Sequence, residues 1–154
     1  MLSSPMVAGM AITSADPSGL WGILKEGMAG GWALLEARQS ADADPLVKAT
    51  AEDFATNEGR TAARTALQQR FTGTTFSAIK GTALAELKAV AGILDEKAPE
   101  DAAAFKVWLL QVAQKAAEAG TEGGFLGFGG VAVSDAEKAT LAEISATLGG
   151  KTSG

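Results

Sequence analysis

Apolar residues recur along most of this chain at the three-and-four spacing of helices rather than the alternation of strands. The strongest stripe lies in 99–119. There Phe105, Trp108, Leu109, Val112, Ala113 and Ala116 share one face, while Lys106, Gln111, Gln114, Lys115 and Glu118 fall mostly elsewhere. Segment 75–97 sets Leu84, Leu87, Ala91 and Leu94 on one face, with Phe76 and Ile79 a turn or two earlier. The last segment carries a narrower seam of Leu141, Ile144 and Leu148. Punctuation sharpens these limits. Asp16-Pro17 and Asp44-Pro45 each join an N-cap acceptor to a proline at the first helical position, where a missing N–H costs nothing. Ala98-Pro99 is followed by Glu100 and Asp101, which favour the positive end of a helix dipole. Gly120 and Gly149 stand where a left-handed C-cap residue is wanted.

Together these signals predict helices near 17–38, 45–57, 60–72, 75–97, 99–119 and 134–148. The alternative for 45–72 is one longer helix, since only Asn57-Glu58-Gly59 interrupts it. Phe125-Leu126 and Val131-Ala132-Val133 could pair briefly, but an isolated hairpin is marginal and no strand is predicted. Each helix has one apolar face and needs neighbours. The expected fold is all-α, a compact bundle of five or six helices with a glycine-rich loop before the last. The chain divides into an apolar N-terminal segment over 1–16, one helical domain over 17–149 and a flexible tail over 150–154.

Composition supports this reading and narrows the chemistry. A chain of 154 residues is long enough for one core, and much of its 47% apolar content is alanine, which favours helix. The absence of Cys, His and Tyr rules out disulfides, thiol nucleophiles, serine–histidine catalysis and histidine-ligated metals within the chain. An enzyme is therefore not expected, nor a metal site or a cofactor. The net charge of −5, with both signs interspersed, argues against nucleic acid, which needs a basic face. The apolar patch from Met6 to Ile12 lacks the positive flank of a signal peptide, because no Lys or Arg precedes Lys25. Asp16, Lys25 and Glu26 break the first 35 residues, so no stable membrane insertion is expected and the expected location is cytoplasmic.

Three features invite function. In the loop 120–130, six of eleven residues are glycine, yet Phe125, Leu126 and Phe128 sit among them. A flexible linker lacks such anchors, so the loop reads as a folded helix–helix connection. The functional alternative is an anion cradle of main-chain amides at Gly123, Gly124, Gly127, Gly129 and Gly130, aided by the helix start at Ser134. Against it, the loop holds no Lys or Arg and follows no strand. Next, Ser134 and Glu137 have the spacing of a capping box; convergence of Glu122, Asp135 and Glu137 on a divalent cation is the sharper alternative. Finally, Gly19, Gly22, Gly27, Gly30 and Gly31 crowd the first predicted helix. Each glycine costs a helix about 1 kcal/mol against alanine, so their density suggests close packing. Trp21, Gly27, Met28, Gly31 and Trp32 are the expected interface residues, for a protein partner or a homo-oligomer.

Residues 84–149 resemble a group of uncharacterised bacterial proteins with an alanine-rich helix, a Gly-Phe-Leu-Gly loop and a Val-Ser-x-x-Glu helix start. The residues carrying the resemblance are Phe105, Lys106, Trp108, Leu109, Glu122 to Gly130 and Val133 to Glu137. More distantly, the stretch is similar to the helical domain of TerB-type tellurite-resistance proteins, although it lacks the acidic Asp-Gly cluster those domains place before the second helix. The resemblance implies a bacterial, helical, non-enzymatic accessory protein. The function expected is a small cytoplasmic accessory or scaffold acting through protein–protein association, self-assembly included. The alternative is a ligand-responsive module binding an anion or divalent cation at the 120–137 junction.

Overall fold

Each proline in the described part of the chain opens a helix. The computed structural model describes residues 1–15, 34–121 and 133–149, with only the backbone described over 119–121. Pro5 lies in the first turn of α1 (Ser4–Thr13), Pro45 begins α2 (Pro45–Ala55) and Pro99 begins α5 (Pro99–Thr121). Between them run α3 (Asn57–Phe71), a single 3₁₀ turn (Phe76–Ala78) and α4 (Ile79–Lys97). The last helix is α6 (Asp135–Thr147). Residues 34–39 are also helical; the rest of the helix expected over 17–38 lies outside the described residues. No strand occurs among the described residues, and the protein is all-α.

The apolar stretch at the N-terminus, for which the spacing predicts no helix, is α1. It lies against α4 and α5 and also touches α6. Val7, Ala8, Ala11 and Ile12 are all at most 2% exposed. Residues 1–15 contain no charged side chain, as a helix enclosed on nearly every side requires. Even its polar residues are used: Ser4 Oγ donates to the Met1 carbonyl at 2.6 Å, and Ser3 Oγ accepts from Arg70 at 3.3 Å. Arg70 in turn pairs with Glu86 at 2.8 Å, so one polar chain ties the start of α1 to α3 and α4.

The predicted stripe of α5 is buried throughout: Phe105, Leu109 and Ala113 are fully enclosed, and Trp108, Val112 and Ala116 nearly so. Phe105 and Trp108 meet edge to face, with ring centroids 5.2 Å apart. Leu87, Ala91 and Leu94 of α4 and Ile144 and Leu148 at the end of the chain's last described helix complete the core. Leu84 and Leu141 sit at its margin.

Local geometry departs from the sequence expectation at four places. The 45–72 region is two helices, but the break falls at Thr56, which ends α2 and caps α3. Gly59 lies beyond the break, inside α3. Its hydrogen atom takes up the space where a Cβ would stand 2.0 Å from the Asp53 carbonyl oxygen. Ahead of α4, the 3₁₀ turn has fewer residues per turn than an α-helix, which takes Phe76 out of phase with the core face and leaves it 42% exposed. Gly120 is not a C-cap, because α5 continues to Thr121. The left-handed glycines among the described residues are Gly149, as expected, and Gly73, which turns the chain after α3.

Candidate functional site

Most of the residues that the sequence marks for function lie outside the described residues. These are Gly123, Gly124, Gly127, Gly129 and Gly130 in the loop, and Trp21, Gly27, Met28, Gly31 and Trp32 in the glycine-rich segment; the tail 150–154 is outside them too. Ser134 is described. Its hydroxyl accepts from the Glu137 amide at 3.2 Å, while the Glu137 carboxylate accepts from the Ser134 amide at 2.8 Å. The capping box is complete, and it occupies both side chains. Asp135 pairs with Lys138 at 3.3 Å. Among the described residues no three His, Cys, Asp or Glu side chains gather as a metal site, and no helix is long and apolar enough to cross a membrane.

The concavity with a distinct build is a groove between the 36–47 segment and the outer face of α5. Its volume is about 290 Å³. On one side stand Ala37, Ser40, Ala43 and Val47; on the other stand Ala104, Val107, Trp108 and Gln111. Helical geometry makes this face. Positions 101, 104, 108, 111 and 115 are spaced by three and four and therefore run along one side of α5, over about 21 Å. Val107 flanks that line and is 56% exposed, although it is β-branched and apolar. Leu35, next to the other wall, is 39% exposed.

The two ends of the groove differ in charge. At one end Lys115 pairs with Glu36 at 3.3 Å. At the other, Asp44 and Asp101 face each other, and Glu100 is adjacent in sequence. Both aspartates have structural duties. Asp44 caps α2 by accepting from the Leu46 and Val47 amides at 3.0 and 3.4 Å, and Asp101 sits in the first turn of α5. Partial burial and the neighbouring Asp44 carboxyl push the Asp101 carboxyl above its ordinary range. The floor between the ends is Trp108, 5% exposed, whose indole Nε1 is buried without a hydrogen-bond partner.

The spacing puts Trp108 in the core stripe and Asp44 and Asp101 at helix starts, but it does not bring them together. Their meeting depends on the packing of α2 against α5, and no periodicity encodes that. The legible trace is Val107, an apolar residue off the core stripe. A second depression, about 610 Å³, runs along one face of α3 past Thr61, Thr65 and Gln69. It is shallow and holds one charged residue, Glu58.

No protein-family model, curated protein or solved structure matches the chain, so the site is argued from its own residues.

Proposed function

We propose that this chain is a small accessory or scaffold protein that acts by binding another protein, a second copy of itself included, and that it catalyses no reaction. The observation carrying this reading is the Val107 face of α5. A bundle with enough small residues to enclose its core still leaves a branched apolar side chain more than half exposed beside a concave, partly apolar groove. Burying the exposed half of that side chain against a partner yields about 1 kcal/mol, and a groove gives that burial direction. The missing Cys, His and Tyr support a non-catalytic role, and the net negative charge supports a protein rather than a nucleic-acid partner. A cytoplasmic bacterial setting belongs to the same reading, and the cysteine-free composition fits it.

Binding of an anion or divalent cation at the 120–137 junction is the weaker reading. Ser134 and Glu137 satisfy each other there, which leaves that ligand without its two best-placed side chains. Native mass spectrometry of the protein isolated from its source cells separates the two. Association predicts species heavier than the 15.5 kDa chain by at least one further polypeptide. A bare monomer at every concentration, or a monomer carrying only a small ligand, overturns it.

A further inference from the structure

The groove beside α5 combines an exposed apolar wall at Val107 with two neighbouring carboxyls at Asp44 and Asp101. No cation within salt-bridge distance serves either carboxyl among the described residues, whereas the opposite end is neutralised by the Lys115–Glu36 pair. The helix starts at Pro45 and Pro99 contribute about half a positive charge each. Against Asp44, Glu100 and Asp101 together, that leaves the end of the groove net negative.

We propose that the groove seats a segment of a partner protein that combines an apolar side chain with a basic one. The apolar side chain lies over Ala104 and Val107. The Lys or Arg reaches the Asp44–Asp101 end, where a charge-assisted bond replaces carboxyl–carboxyl repulsion. The segment covers the Trp108 ring that floors the groove. The polarity follows from the two ends of the groove, because the Lys115 end already carries its own cation. This rests on the association reading above and adds the surface and the chemistry of the partner.

The test uses the full chain, ¹⁵N-labelled, and two short amphipathic peptides of equal length, one built of Leu and Lys and the other of Leu and Glu. Trp108→Phe assigns the indole resonance. The Lys peptide is expected to bind saturably and to move the Trp108 indole proton. The double variant Asp44→Asn/Asp101→Asn keeps the α2 cap, since Asn caps as well as Asp. It is expected to weaken that binding about tenfold or more. Glu52→Gln/Asp53→Asn removes the same charge from exposed positions on α2 and is expected to change affinity by less than about twofold. Equal loss in the two double variants, equal binding of the Glu peptide, a stationary Trp108 resonance at saturation, or no saturable binding each overturns the proposal. None of these outcomes touches the native-mass result, so failure here is distinguishable from failure of the association reading.

Discussion

At the residue scale, two positions show how a single atom decides local structure. Gly59 in α3 would gain helix propensity as alanine, by about 1 kcal/mol. The methyl would meet the Asp53 carbonyl oxygen at 2.0 Å, and main chain cannot turn aside as a side chain can. Gly59→Ala is therefore expected to destabilise the protein by about 1–3 kcal/mol in urea unfolding; a neutral or stabilising result would show that the Thr56 turn opens at no cost. Asp101 sets a pH dependence. Its carboxyl titrates above the ordinary value of 3.8 because it is partly buried and faces Asp44. The folded state thus holds this proton more tightly than the unfolded chain does. Its contribution to stability is full below pH 3.8 and is lost as pH rises through the elevated folded value. The stability of the protein relative to Asp101→Asn should fall over that window, measured as the difference in urea midpoints. A difference that rises with pH would reverse the sign of the argument.

At the scale of elements, legibility in the sequence followed the number of faces each helix exposes. The α5 stripe was read correctly because one side of that helix meets solvent and the contrast survives in the spacing of Phe105, Leu109 and Val112. The helix α1 was invisible to the same reasoning. Buried on almost every side, it shows a run of Met6, Val7, Ala8, Met10, Ala11 and Ile12 with no polar face to give a period. Pro5 was the available signal, the same device that marked Pro45 and Pro99. Its burial makes α1 a keystone of the bundle. Ile12→Ala is expected to cost about 2–5 kcal/mol, as for a fully enclosed branched side chain. A loss below about 1 kcal/mol in the same unfolding assay would mean that α1 is peripheral to the folded core.

At the scale of the whole molecule, the described helices enclose a core around α1 and form an outward groove with partly apolar walls and unequal ends. The fold class was legible because every described helix beyond α1 announces itself through a stripe, a cap or a proline. The groove was not, because it is made by α2 and the 36–47 segment approaching α5 from distant parts of the sequence. What the chain does follows from what that surface can hold. The most direct measurement is site-specific photocrosslinking in the source cells, with the photoreactive residue placed at Val107 in one strain and at Glu52, also exposed, in another. A light-dependent adduct to a polypeptide is expected from position 107, lost when Asp44→Asn/Asp101→Asn is added, and none from position 52. Adducts from neither position, or equally from both, would contradict binding at this groove.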